Sequence, residues 1–443
     1  MAKIFVSFLG TGAQHKDPGY DRASYNWPGK SVTTVTACFA QTAILKLLEE
    51  KAADEGPVDK VVILCTEESK EKHLDLLREE LREHLAQPPE PVVPEPLVPT
   101  DMSAANQWGW FEQLLNIVND NDTLILDFTH GMRAVPIVFS SAIGFLQRAK
   151  GVAVVHALYA WYDVANRDKV HPIVDMRDFY VINDWAEAVS RLADDANARK
   201  IGELARTTRI EALQPLADEA LIEAFEEMTD CIRNVDVNNI GKKVGLALDR
   251  VEQARNRVSG SARVMLDLVW NKFRTLATDY PPSGRYDRAY FDSQLVIIRV
   301  LLEHRLFMQA FTAMREVVGS IGMAGLSGKY SKQMKCGDGR KYRGRFAEVF
   351  VNMMQYTPED WRFNGQAAID KLTLTPWFET LQHAEVEPKL RQIVKPLVDT
   401  RNGFDHAWTA KAEAQKDVAE KGNVYFATLE TIITQLAERR LIS

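Results

Sequence analysis

The sequence predicts an α/β domain, a parallel sheet with flanking helices, followed by an all-α region. Three observations carry this. Through about residue 180, short apolar runs alternate with helix-like segments, as in a parallel sheet wrapped by helices. From about Asp184 onward the strand signals stop and long stretches keep a helical period. Finally, 443 residues, 46% of them hydrophobic, exceed one ordinary core and indicate two or three domains. We place the boundary between residues 185 and 186.

Taken in order, the strand candidates are Lys3–Leu9, Lys60–Cys65, Thr123–Phe128, Val152–Tyr159 and Pro172–Asp175. The helix candidates between them are Thr33–Ala53, Lys70–Leu85, Trp108–Val118 and Val135–Lys150. Gln87–Thr100 is proline-rich, so it is an edge strand, an irregular connection or a hinge. In the second part, Ala205–Val235, Asn239–Ala277, Ser293–Ile321 and Pro388–Arg401 carry helical periodicity. Breaks fall at Tyr280–Gly284 and in the Gly- and Lys/Arg-rich segment Gly322–Arg345. No internal repeat is visible.

Composition excludes several classes. The longest apolar stretch, Val135 to Leu146, is interrupted by Pro136 and by Ser140-Ser141. It is shorter than the roughly 20 residues of a membrane helix. The N-terminus reads as a first strand without a cleavage site, which places the protein in the cytoplasm. Cys38, Cys65, Cys231 and Cys336 show no zinc or redox spacing, and no bound metal or cofactor is expected. The net charge of −7 is uneven: residues 1–190 hold 17 Lys+Arg against 27 Asp+Glu, and residues 191–443 hold 37 against 34. Only the second part suits a polyanion.

In open α/β sheets, ligands sit beyond the C-terminal strand ends. That rule selects Gly10-Thr11-Gly12, the turn beginning at Thr66, and the segment Thr129-His130-Gly131-Met132-Arg133 after the third predicted strand. Glycines admit a phosphate to backbone N–H groups, and a following helix adds its positive end. The third loop is the most specific, because Asp127, Thr129, His130 and Arg133 put four polar groups in seven residues. A structural turn around Gly-x-Gly and a core role for His130 stay open. Tyr159, Trp161 and Tyr162 are candidates for stacking on a base or for the core.

The run Leu126-Asp127-Phe128-Thr129-His130-Gly131 resembles the D-x-T-H-G motif of a subfamily of CRISPR-associated Rossmann fold (CARF) proteins. The opening Ile4–Gly12 is similar to that subfamily's first strand and loop, and Asn183–Val189 to its junction with a helical part. The resemblance implies a Rossmann-like sensor of type III CRISPR antiviral defence. Such a sensor binds cyclic oligoadenylate as its activator, the tetramer favoured and the hexamer possible, across a homodimer axis. The site would include Gly10, Thr11, Gly12, Thr66, Asp127, Thr129, His130, Gly131, Met132 and Arg133. The resemblance further implies a C-terminal HEPN ribonuclease domain whose motif is Arg, four to six residues, then His.

Three matches to that motif occur: Arg78/His84, Arg299/His304 and Arg401/His406. The first lies on a charged helix of the first domain. The second lies inside a strong helical run, where an offset of five turns the side chains about 140° apart. The third contains Asn402-Gly403, which is expected to loosen the helix so that the two side chains converge. Arg401 and His406 with Asn402 are the expected catalytic residues, and a helix C-terminus with a capping histidine is the alternative. RNA brings its own 2′-OH nucleophile, so cleavage to a cyclic phosphate end needs a moved proton and a stabilised phosphorane, without a metal. Imidazole and guanidinium supply these. Gly328–Arg345, with seven cations and with Tyr330 and Tyr342 interleaved, is either a single-stranded RNA contact or a solvated loop. The alternative is a ligand sensor with a silent helical adaptor or DNA-binding regulator.

Overall fold

The computed structural model describes residues 1–12, 20–101, 103–130, 135–208, 210–237, 239–277, 286–326, 339–406, 408 and 417–443. The chain forms two compact units, Met1–Asn183 and Asp184–Ser443.

Unit one is built on a seven-stranded sheet of order β3-β2-β7-β6-β5-β1-β4. Its strands are β1 Lys3–Leu9, β2 Ala23–Asn26, β3 Thr34–Ala37, β4 Lys60–Cys65, β5 Thr123–Asp127, β6 Ala153–Ala160 and β7 Val170–Asp175. β4, β1, β5 and β6 run parallel, whereas β7 is antiparallel to β6. The sheet is therefore mixed, not wholly parallel. β1 shows why these strands read as continuous apolar runs. Ile4, Val6 and Phe8 face one core with α3 Ala104–Ile117 and α4 Val135–Ala149, and Phe5 and Leu9 face another with α1 Ala40–Glu50 and α2 Glu67–His84. A strand buried on both faces has no polar side to alternate with.

The helix expected over Thr33–Ala53 is wrong at its start. Thr34–Ala37 is an edge strand with Val35 and Ala37 inward and both threonines outward, and α1 begins at Ala40. β-branched residues at period two favour a strand there. The proline-rich stretch is an irregular edge: Val92 accepts from Ile63 and donates to Val61, extending the sheet beyond β4.

Unit two is helical throughout its described residues. The boundary falls inside α5 Arg177–Asp195; then come α6 Arg199–Ala205, α7 Glu219–Arg233, α8 Ile240–Arg255 and α9 Gly260–Phe273. The remaining helices are α10 Arg288–Glu303, α11 Phe307–Ala324, α12 Gly339–Gln355, α13 Gln366–His383, α14 Glu387–Asp405 and α15 Val418–Glu438. α11 packs against α10, α12, α14 and α15 and is buried over most of its circumference, as apolar residues distributed around the helix require. Gly322 lets α12 approach, since a Cβ there would lie 2.4 Å from the Phe350 ring. Among the described residues, no helix is long and apolar enough to cross a membrane.

Candidate functional site

The strand-end loops of unit one rest on a buried polar and aromatic scaffold. Asp127, at the end of β5, is buried and accepts from Ser7 Oγ on β1 at 2.7 Å, from the Thr129 amide at 2.9 Å, and from the Thr129 hydroxyl. Thr129 Oγ1 in turn accepts the Ala160 amide of β6 at 2.9 Å. The D-x-T pair thus ties three strand ends together, and its polar atoms are spent on backbone and neighbours. His130 follows. Its ring lies edge-on to Tyr20 at 5.3 Å, its Nε2 is shut off from solvent with no hydrogen-bond partner among the described residues, and burial pushes its pKa below the usual imidazole value against the opposing charge of Asp127. Gly131, Met132 and Arg133 lie outside the described residues.

The Gly10–Gly12 loop sits on the same scaffold. His73 of α2 places Nε2 3.0 Å from the Thr11 carbonyl oxygen and packs on Tyr20 at 5.0 Å. A Cβ on Gly10 would lie 3.1 Å from the Tyr20 hydroxyl, so close approach, rather than a phosphate, already accounts for that glycine. The first elements described after this loop are β2 and β3, so no helix follows it directly among the described residues. Thr66 caps α2 in a reciprocal box with Ser69, and Glu67 and Glu68 occupy the first turn. At α1, the Glu80 carboxylate takes the Cys38 and Phe39 amides at 2.6 and 3.0 Å. Both helix N-termini therefore already face carboxylates. α4, which begins at Val135, has no acidic residue in its first turn, so no carboxylate of its own offsets its positive end.

Sequence reasoning missed a cavity of about 430 Å³ beside this loop, lined by Phe128, Ser140, Tyr159, Met176, Phe179 and Tyr180 among others. Its lining comes from four separated segments. Tyr159 was the one residue flagged in advance, by its aromatic character at a strand end. Tyr162, also flagged, is pinned: its hydroxyl donates to Asp21 at 2.9 Å and its ring packs on His171 at 4.7 Å. Trp161 is exposed.

In unit two, Arg401 and His406 lie at the end of α14, but the helix does not loosen between them. Helical structure runs through Asp405, and His406 caps it by donating its amide to the Asn402 carbonyl at 3.0 Å. Gly403 serves packing instead: a Cβ there would lie 2.3 Å from the Trp408 indole, whose amide donates to the Gly403 carbonyl at 2.8 Å. Arg401 forms an ion pair with Asp405 and donates to Asn402 Oδ1 at 3.3 Å, while its Nε is buried with no hydrogen-bond partner among the described residues. His406 is exposed.

The offset within a helix therefore does not separate the candidates, because His304 caps α10 in the same way. Accessibility does. His304 is 5% exposed, holds the Asp194 carbonyl oxygen 2.6 Å from Nδ1, stacks on Phe273, and has its pKa lowered chiefly by burial. Arg299 pairs with Glu430 at 2.6 Å. Arg78 is held by Asp75 and Glu90 on the solvated face of α2. Of the two pairs in unit two, Arg401/His406 is the one with an exposed imidazole. From the basic segment, Arg343 and Arg345 turn inward to Glu316 and Asp370, both at 2.6 Å. Lys329, Tyr330, Lys332 and Lys335 lie outside the described residues, as do the side chains of Arg340, Lys341 and Tyr342. Among the described residues, no group of three or more His, Cys, Asp or Glu is placed to hold a metal ion.

No family model matches the chain. Ninety-four residues are similar, at 29% identity, to CRISPR-associated protein MJ1674 of Methanocaldococcus jannaschii; they make up 21% of this chain and 15% of that protein. The chain also superposes over 99% of its length on 95% of a structure of Enterococcus italicus Csm6 bound to cyclic hexa-2′-fluoro-hexa-dAMP, with a TM-score of 0.44 and 11% identity.

Proposed function

We propose that the chain is a metal-independent, single-stranded endoribonuclease of type III CRISPR defence, dormant until a cyclic oligoadenylate, tetra- or hexameric, binds a dimer of its first unit. The observation that carries this reading is the exposed His406 at the C-cap of α14, five residues after Arg401 in an Arg-x4-His spacing. The D-x-T-H-G run and the local similarity to a CRISPR-associated protein agree with it.

In this reading, His406 moves the proton of the RNA 2′-OH or of the departing 5′ oxygen. The 2′ oxygen forms a bond to the adjacent phosphorus, the P–O5′ bond breaks, and a 2′,3′-cyclic phosphate and a 5′-hydroxyl end result. Arg401 offers its fork to the phosphorane oxygens, and Asn402 holds the guanidinium in place. The Asp405 carboxylate now paired with Arg401 must yield to the phosphate. In unit one, the open N-terminus of α4 with Arg133 and Gly131 receives the activator, while Asp127, Thr129 and His130 brace the loop from beneath. The test incubates fluorogenic RNA and protein with cyclic oligoadenylates of different ring sizes. Cleavage dependent on one of them supports the reading, and constitutive or absent cleavage refutes it.

A further inference from the structure

A polar cleft in unit two lies far along the sequence from Arg401 and His406. It has a volume of about 260 Å³ and is formed where the chain entering α7 packs on the last turns of α8. α8 contributes Arg250, Gln253 and Ala254, and Arg257 follows in the turn that ends the helix. Positions 250, 253, 254 and 257 share one helical face. The short Ala254 side chain opens the space between the two arginines.

The charge of this cleft is uncompensated. Neither Arg250 nor Arg257 has an ion pair or a side-chain hydrogen bond among the described residues, and both are exposed. This departs from the local habit: Arg255 and Arg263, close in sequence, both pair with Asp267. The acidic residue in the lining, Asp218, spends a carboxylate oxygen on the Leu221 amide at 3.0 Å as the cap of α7. Two guanidinium groups against one carboxylate leave the lining with a net positive charge. The volume falls just below the roughly 300–1,000 Å³ of pockets that enclose a drug-sized ligand, so it suits a passing phosphate rather than an enclosed molecule.

We infer that this cleft is a phosphate-binding track for single-stranded RNA, with Arg250 and Arg257 each holding a backbone phosphate. The inference rests on the ribonuclease reading for the identity of the polyanion. The geometry and unpaired charge stand without it. Forked guanidinium donors match phosphate oxygens, and Gln253 between them can donate to a sugar or phosphate oxygen.

The test uses the full chain carrying His406→Ala, so that RNA stays intact, and a fluorescein-labelled uridine-rich RNA followed by anisotropy over a range of salt. Arg250→Gln and Arg257→Gln should each weaken binding about tenfold at low salt, the loss expected for one charge-assisted contact. Each should also flatten the plot of log affinity against log salt by about 0.7, the value for one phosphate of a single strand. Arg199→Gln with Lys200→Gln removes the same charge elsewhere in unit two and should leave that slope unchanged. An unaltered slope in the Arg250/Arg257 double variant, or an equal loss in the control, overturns the inference. If the cleft variants lose RNA binding while the wild-type chain cuts no RNA with any activator, the ribonuclease reading fails and the binding site stands.

Discussion

Arg299/His304 and Arg401/His406 have the same spacing and the same place at the end of a helix, yet they sit in opposite environments. His304 is sealed against Phe273 and the Asp194 carbonyl, whereas His406 faces solvent. The first imidazole finishes a core and the second lies at the surface. Spacing in the sequence therefore identifies candidates, and burial chooses between them.

The sharpest way to break this comparison is mutational. His406→Ala and Arg401→Ala should each lower RNA cleavage about a hundredfold or more, with activator binding unchanged. His304→Ala should instead cost about 1–3 kcal/mol of stability, by leaving the Asp194 carbonyl unpaired, while the folded fraction keeps its cleavage rate. Cleavage abolished by the His304 change but not by the His406 change inverts the assignment.

A second experiment separates sensing from cutting. Arg133→Glu should raise the activator concentration needed for half-maximal cleavage about tenfold or more, yet leave the rate at saturation near wild type. Normal activator binding by that variant removes the third loop from the site. A ligand bound equally by resting and active arrangements switches nothing, so the same titration should show tighter activator binding when RNA is present.

Acid sharpens the contrast through stability. An unfolded imidazole takes up a proton near its ordinary pKa of about 6.5, while buried His304 resists until lower pH. The unfolded state then binds more protons, so stability present above that pH is lost as the pH falls below it. His304→Asn should flatten the dependence of melting temperature on pH in this window. Smaller still, Asp405→Asn releases Arg401 from its ion pair and should change RNA affinity only a few-fold, toward tighter binding. Chelation should change nothing: activity lost in EDTA and restored by a divalent ion would falsify the metal-independent mechanism.

The strands of the sheet centre were legible because a segment buried on both faces admits few polar residues, and β1 and β4 begin and end where the apolar runs do. β2 and β3 were not. Each has four residues, and the two outward threonines of β3 blend into the helical pattern that follows. For the site, the D-x-T-H-G run stood out, but the inward direction of Asp127 and Thr129 did not, since it depends on partners in β1 and β6 more than 30 residues away in either direction. The reading of Asn402-Gly403 as a helix breaker failed for a related reason. The partner that gives Gly403 its purpose is an indole ring, and sequence alone does not say which side of the helix that ring returns to.

The seat of Trp408 on Gly403 has a further consequence. The chain leaves α14 at Asp405 and is fastened to the same helix again at residue 408, so His406 belongs to a miniature closed loop. A histidine on a free tail would have to be immobilised whenever substrate arrived. Here the restriction of its backbone is set when the domain folds, and only the side-chain torsions remain to be fixed in the encounter. The absent side chain at position 403 thus seats Trp408 on the helix and limits the backbone from which His406 extends.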